Sequence, residues 1–226
     1  EELIQLAKEN HALLQVGHLE RFNNAVKALE PQVHAPRFIE STRLAPFKLR
    51  GSDVNVILDL MIHDIDLIHS IVKANIIDIH ATGAAVLSDY IDIANARIAF
   101  DNGCVANVTA SRASLRTERK LRIFEHDNHI TVDLNHKSIT KTHKCSTEMF
   151  PGIPNITRKR NRYAKGDALA DQIESFFGAI RGNNPIEVSG EDGKNALKTA
   201  IKITQLIKHH NAQHPLPKQA GRDVTG

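Results

Sequence analysis

Six short segments between Ile76 and Lys144 constrain the fold most, because each has the length and composition of a β-strand. They read IIDIHATGAAVL, DIANARIAF, CVANVTASRAS, KLRIFEHD, HITVDLN and KSITKTHK, and only short links join them. Asn102-Gly103 separates two of these segments, and Asn-Gly between apolar strands is a strong hairpin signal because both residues tolerate positive φ. Short links favour antiparallel neighbours, so the sequence predicts a mainly antiparallel sheet with one face open or packed on helices.

Helical patterns surround this β region, and together they predict an α+β fold with an open sheet and helices on one face. Residues 20–30 read as a short helix, and residues 37–44 (RFIESTRL) alternate as a half-exposed strand. Two further helices are predicted, over residues 168–181 and from a capping box at Ser189 to His210. Residues 145–166, with the basic run RKRNRY, are predicted to form a surface loop.

The first residues have a different character from the rest of the chain. EELIQLAKEN has a helical pattern, and residues 12–16 read as a short apolar strand. A helix that leads into such a strand is what remains when an α/β domain is cut late in its course. We therefore expect residues 1–19 to be the remnant of a preceding domain, and residues 20–226 to form a second domain.

Composition excludes several classes of protein. The net charge of +3 is small for 226 residues and does not imply a nucleic-acid partner. No apolar run approaches the ~20 residues that span a bilayer, so no membrane partner is expected. Cys104 and Cys145 give neither a disulfide framework nor a metal-finger spacing, which favours a reducing cytoplasm.

A helix predicted over residues 54–72 contains the side chains that most strongly suggest a catalytic site. At ~100° per residue, one narrow stripe collects Asn55, Asp59, His63, Asp66 and Ser70, and most of the remaining surface is apolar. The stripe holds no Lys or Arg, the usual residues of a solvated helix face. Asp59 and His63 stand at i and i+4, where the carboxylate could orient the imidazole and raise its basicity. A histidine held in this way takes or gives a proton near neutral pH.

Three other interpretations of the stripe remain open. It could be the wet side of an amphipathic helix. It could bind a divalent metal through Asp59, His63 and Asp66, although no further ligand cluster supports a metal site. A hydrolase is the third, but no Gly-x-Ser-x-Gly turn or catalytic-cysteine context appears.

Three motifs give the chain a resemblance to a known family. VGHLERFN at residues 16–23, DLMIHDID at residues 59–66 and VSGEDG at residues 188–193 resemble the Gfo/Idh/MocA oxidoreductases. The segments SRASLRTERKLRIFEHD and DIANARIAFDNGCVAN resemble the branch that acts on UDP-N-acetylglucosamine. The resemblance implies a Rossmann domain followed by an α/β domain with a large open sheet. It also implies oxidation of a sugar hydroxyl to a ketone, with hydride passing to NAD or NADP, of which NAD is the first expectation.

The resemblance also implies catalytic roles for the stripe. His63 would be the general base that removes the hydroxyl proton. Asp59 would orient His63 or bind a neighbouring hydroxyl. Asp66 would lie beside the substrate or serve structurally. These roles fit the chemistry, because hydride departure needs the O–H proton to leave in concert.

Binding roles follow for residues outside the stripe. If the substrate is a nucleotide sugar, Arg43 and Arg50 are the candidate ligands of its diphosphate, since guanidinium forks suit phosphate oxygens. His18 and Arg21 would approach the nicotinamide or its ribose, and the alternative for Arg21 is a structural ion pair.

The sequence departs from the family pattern at the cofactor motifs. Its 12 glycines contain no G-x-G-x-x-G, and the Glu-Lys-Pro segment of the family is absent. We therefore expect the chain to be the substrate half, with the dinucleotide bound mainly by a missing N-terminal part, and to be inactive alone. A homo-oligomer, dimer or tetramer, is expected through the open sheet face. The alternative function is a non-catalytic dimerisation or ligand-binding module of the same fold.

Overall fold

One sheet dominates the structure. The computed structural model describes residues 1–48, 51 and 53–214. Within these residues the strands are β1 (Phe38–Leu44), β2 (Ile76–Ala84), β3 (Ile93–Phe100), β4 (Val105–Ser111), β5 (Glu118–Glu125), β6 (Asn128–Asp133), β7 (Ser138–Phe150) and β8 (Ile153–Arg162). Their order is β2-β3-β4-β1-β5-β6-β7-β8, with β1 parallel to β4 and every other pair antiparallel. The predicted open, mainly antiparallel sheet is confirmed.

Helices from several parts of the chain accompany this sheet, and α2, α3 and α5 contact it directly in the described residues. They are α1 (Glu2–Glu9), α2 (Asn24–Leu29), α3 (Ile62–Val72), α4 (Ala168–Ile180) and α5 (Gly190–Gln213), and a π-helical turn, Ile57–Met61, leads into α3. The predicted capping box opens α5: the Ser189 hydroxyl accepts from the Asp192 N–H while the Asp192 carboxylate accepts from the Ser189 N–H. α3 ends where Lys73 takes a left-handed conformation with φ +49°.

The core lies between the sheet and these helices. Strands such as β1 and β3 alternate buried and accessible residues, so that Ile39, Ser41 and Arg43 of β1 all point into the protein. The opposite face is accessible, with Asn95 and Arg97 exposed on β3 beside Ile93, which is 40% exposed. Oligomerisation through this open face stays a prediction. None of the helices in the described ranges is long and apolar enough to cross a membrane.

The turn at Asn102-Gly103 joins β3 to β4 as predicted, and only Gly103 uses a positive φ, +83°. Two local predictions are wrong. Residues 12–16 form no strand, because only Gln15 finds a partner, in a single bridge to Ser189. Residues 145–166 are not a loop, since β7 and β8 run through them as a long hairpin.

The helix predicted over residues 20–30 is interrupted. A 3₁₀ turn, Leu19–Phe22, precedes α2, and a second one, Glu30–Gln32, follows it. The Asn23 side chain caps α2 by accepting from the Ala25 N–H. Residues 1–19, which we expected to belong to a separate domain, place α1 against α5 with Leu3 and Leu6 largely exposed. Their assignment to a Rossmann remnant stays a prediction.

Candidate active site

The candidate site lies where the two parallel strands end. β1 ends at Leu44 and β4 at Ser111, side by side in the sheet register. The 3₁₀ turn Leu19–Phe22, the π-helical turn and the start of α3 supply the side chains of this region.

A buried ion pair fixes α3 to β1. Nε and Nη2 of Arg43 donate to the two oxygens of Asp64 at 2.7 and 3.0 Å, and Nη1 donates to Glu20 at 3.0 Å. Arg43 is 2% exposed and Asp64 1%. Burial alone would lower the pKa of Arg43, but the Asp64 and Glu20 carboxylates raise it above the ordinary value. Arg43 is therefore an internal cation with its guanidinium engaged on protein carboxylates.

A second ion pair connects α3 to the 3₁₀ turn. Nε and Nη2 of Arg21 donate to the two oxygens of Asp66 at 2.7 and 2.9 Å, and Asp66 is buried. Burial tends to lower the pKa of Arg21, and the carboxylate of Asp66 raises it. The geometry is that of the structural ion pair considered as the alternative for Arg21. Asp66 faces this guanidinium rather than the wet stripe.

His63 lies next to Asp64 on α3, close to Arg43 and His18. Its ring meets the ring of the buried His18 edge-on, with centroids 6.1 Å apart and an interplanar angle of 88°. Its Nδ1 is buried and has no hydrogen-bond partner. Burial lowers the pKa of His63 below the ordinary 6.5, and the charge of Arg43 lowers it further, against a smaller opposing effect of Asp64. The imidazole is consequently neutral at pH 7 and able to accept a proton.

Asp59 takes a different place from the one that an ideal helix predicts. It lies in the π-helical turn, whose wider i→i+5 geometry rotates it relative to His63. Nδ1 of His63 has no hydrogen-bond partner, so Asp59 does not orient the imidazole through this atom. The Asp59 carboxylate instead lies close under the backbone of Gly51, whose added Cβ would stand 3.2 Å from Oδ1. Arg50 lies outside the described residues.

The sequence does indicate a need for a buried acid such as Asp64, although the helical periodicity does not. Asp64 lies off the stripe, among the apolar residues. Arg43, however, shares its strand face with Ile39 and Ser41, and an arginine on an inward face needs a buried acid. No group of three or more His, Cys, Asp or Glu side chains suited to a metal ion occurs among residues 1–48, 51 and 53–214.

Comparison with known proteins gives the relationship of the chain. Residues 36–137 match the GFO/IDH/MocA C-terminal domain. UDP-N-acetylglucosamine 3-dehydrogenase of Acidithiobacillus ferrooxidans is 38% identical over 207 residues, which cover 91% of this chain and 66% of that protein. Myo-inositol 2-dehydrogenase of Thermotoga maritima is 24% identical, over 91% of this chain and 69% of that protein. The chain thus spans about two thirds of the length of these curated relatives.

Solved structures agree with this relationship. The structure of UDP-N-acetylglucosamine 3-dehydrogenase GnnA from Acidithiobacillus ferrooxidans superposes with a TM-score of 0.86 at 37% identity, over 92% of this chain and 66% of that one. A dehydrogenase from Clostridium difficile has a TM-score of 0.74 at 19% identity, over 91% of this chain and 66% of that one, which shows the shared fold alone. From these matches, this chain belongs to the Gfo/Idh/MocA family.

Proposed function

We propose that this chain is the substrate-binding part of an NAD(P)-dependent sugar dehydrogenase that oxidises a hydroxyl of a UDP-amino sugar, such as UDP-N-acetylglucosamine, to a ketone. The similarity to a protein named for that reaction supports the substrate class. The observation that carries the proposal is the neutral, half-buried imidazole of His63, which lies close to the buried ion pair of Arg43 and Asp64 and has an unpartnered Nδ1.

The described residues account for the proton side of the reaction. Oxidation of an alcohol removes a hydride from carbon and a proton from oxygen. A neutral imidazole has one nitrogen with a free lone pair, so His63 can accept the hydroxyl proton as the hydride leaves. A nicotinamide, which dehydrogenases of this family generally use, supplies the hydride acceptor when bound. The residues present do not by themselves fit a dinucleotide, because the 12 glycines form no G-x-G-x-x-G turn.

The neighbours of His63 support this role by holding it in place. Arg43 and Asp64 attach the first turn of α3 to β1, and Arg21 and Asp66 attach the next turn to the segment that contains His18. A catalytic side chain on a rigid element is positioned more closely than one on a loop. We propose that Asp59, which does not bond to Nδ1 of His63, binds a substrate hydroxyl next to the reacting one.

The remaining assignments rest on the sequence pattern and the family. Arg50 is kept as the proposed ligand of the diphosphate, because the guanidinium of Arg43 is engaged on Asp64 and Glu20. Binding of the nicotinamide or its ribose by His18, use of NAD rather than NADP, a homo-oligomer and a cytoplasmic location are proposals of the same kind.

The test is reduction of NAD or NADP by the complete gene product given UDP-N-acetylglucosamine. His63→Asn should lower kcat by about 10²–10⁴-fold, the usual contribution of a general base, and leave nicotinamide binding intact. His69→Asn is a matched control, because His69 lies on the same helix and burial lowers its pKa too, but it bonds to Thr199 away from the site. Its kcat should stay within about threefold of the wild type, since no catalytic proton passes through it.

Two results would contradict the proposal. An unchanged kcat for His63→Asn would exclude the general-base role. Absence of turnover with every UDP-sugar tested, while nicotinamide still binds, would favour the non-catalytic ligand-binding module of the same fold.

A further inference from the structure

A third ion pair lies near the candidate site, and the proposed mechanism does not use it. Arg112 follows β4, and its Nε donates to Oδ1 of Asp92 at 2.6 Å. Both residues are buried, at 3% and 0% exposure. The other oxygen of Asp92 accepts the backbone N–H groups of Val86, Leu87 and Ser88 at 2.6–2.9 Å. Burial would raise the pKa of Asp92, but these donors and Arg112 hold it far below its usual range.

Arg112 reaches from this pair to the segment in front of the π-helical turn. Its Nη1 donates to the carbonyl oxygens of Gly51 and Val54, each at 2.6 Å. Its Nη2 donates to the Ser88 hydroxyl at 3.1 Å. A single guanidinium, neutralised by one carboxylate, therefore fastens two backbone positions of this segment to the sheet. A lysine could not do the same, because an ammonium on a flexible stem lacks the planar fork.

The fastened segment is in direct contact with Asp59. Gly51 has a φ of +81°, and a Cβ at that position would lie 3.2 Å from Oδ1 and 3.3 Å from Oδ2 of Asp59. The segment is attached at its other end as well, where the Val56 N–H donates to the Ile91 carbonyl at 2.9 Å. The backbone of Gly51 thus limits the positions open to the Asp59 carboxylate, and Arg112 fixes that backbone through its hydrogen bond to the Gly51 carbonyl.

We infer that Arg112 is a positioning residue: held by Asp92, it fixes Gly51 and Val54 and thereby holds the Asp59 carboxylate where it binds a substrate hydroxyl. This inference rests on the proposed function, because it needs a sugar nucleotide at the site. Arg112 then contributes to the affinity for the sugar without contacting the sugar.

Calorimetric titration of the complete protein with UDP-N-acetylglucosamine tests the inference through a double-mutant cycle. Arg112→Lys keeps the charge opposite Asp92 but removes the fork, and Asp59→Asn removes the proposed ligand charge. Each should weaken binding about tenfold, the usual effect of one hydrogen bond to a charged group. The double variant should be no weaker than either single one, because both changes act through Asp59. A roughly hundredfold, additive loss would overturn the inference.

Arg122→Lys is the matched control, since Arg122 is an exposed arginine on the other face of the sheet and pairs with Glu40. It should leave the affinity unchanged. If Arg112→Lys does not fold, as judged by circular dichroism, Gly51→Ala replaces it in the cycle. Its Cβ crowds Asp59 while Arg112 and Asp92 stay intact, so an unchanged affinity would equally overturn the inference.

A second measurement separates failure of the inference from failure of the proposed function. If the wild type binds no UDP-sugar, the proposed substrate is wrong. Amide hydrogen exchange still tests Arg112, because it needs no ligand. Arg112→Lys should speed exchange of the amides from Val54 to Asp59, and exchange at the wild-type rate would show that Arg112 does not hold this segment.

Discussion

Replacing Asp64 by asparagine removes the charge that balances a buried guanidinium while it keeps the shape of the side chain. Asp64 and Arg43 are 1% and 2% exposed, so water cannot compensate for the lost charge. Removing one partner of a buried ion pair costs about 3–5 kcal/mol. Glu20 still accepts one hydrogen bond from Arg43 at 3.0 Å, which places the expected loss near the lower end, about 3 kcal/mol.

The chain offers a control on the same strand. Glu40 of β1 pairs with Arg122 of β5 at 3.1 Å, but the two side chains lie on the open face and are 40% and 48% exposed. An exposed pair contributes about 0–1 kcal/mol, so Glu40→Gln should reduce the free energy of unfolding by less than about 1 kcal/mol. The two variants thus compare the loss of a buried ion pair with the loss of an exposed one.

Urea unfolding, followed by far-ultraviolet circular dichroism, measures both variants. With a slope of about 2–3 kcal/mol per molar urea, Asp64→Asn should lower the midpoint by about 1 M. The double variant Arg43→Met with Asp64→Leu should recover part of the loss, because neither of these two charges then remains buried without its partner and Glu20 keeps Arg119 at 3.4 Å. A loss for Asp64→Asn no larger than that for Glu40→Gln would refute the reasoning.

Three further predictions follow from the pKa shifts of His63 and Cys104. Because the pKa of His63 lies below 6.5, kcat/KM of the complete protein should rise with pH through an inflection below 6.5, and an inflection above 6.5 would contradict a neutral buried base. The same shift means that the unfolded chain binds this proton more readily, so its contribution to stability is present above pH 6.5 and is lost as the pH falls towards the folded value; His63→Asn should reduce that loss in urea unfolding. Burial raises the pKa of Cys104 to about 11, so a thiol reagent at pH 8 should label the partly exposed Cys145 quickly and Cys104 only after unfolding. Two fast thiols in the native protein would contradict the burial of Cys104.

The sheet was predictable from sequence where one strand face is buried. Strands such as β1 and β3 alternate accessible and buried residues, and this period of two is legible without a structure. β8 was missed because it has no buried face: most of its residues are exposed, and Arg158, Lys159 and Arg160 read as a solvated loop. Basic residues of this kind are common on edge strands, where they discourage pairing with other chains.

The candidate site was only partly predictable. The predicted polar stripe rests on a regular rotation of ~100° per residue. The π-helical turn at Ile57–Met61 changes that rotation between Asp59 and His63. Nothing in the local composition announces a π turn. The engagement of Arg43 on Asp64 and Glu20 depends on contacts between residues far apart in the chain, which helical and strand periods do not report.

The place of β1 in the sheet has a consequence for how the protein folds. β4 and β5 follow one another in the chain, but β1 lies between them in the sheet. They therefore cannot form a hairpin with each other. Two ribbons can each form from local turns: one contains β2, β3 and β4, and the other contains β5 to β8. They join only when β1, from much earlier in the chain, inserts between them. Closing such a long loop costs entropy before any contact compensates for it. We therefore expect insertion of β1, and not formation of either ribbon, to be the slow step of folding.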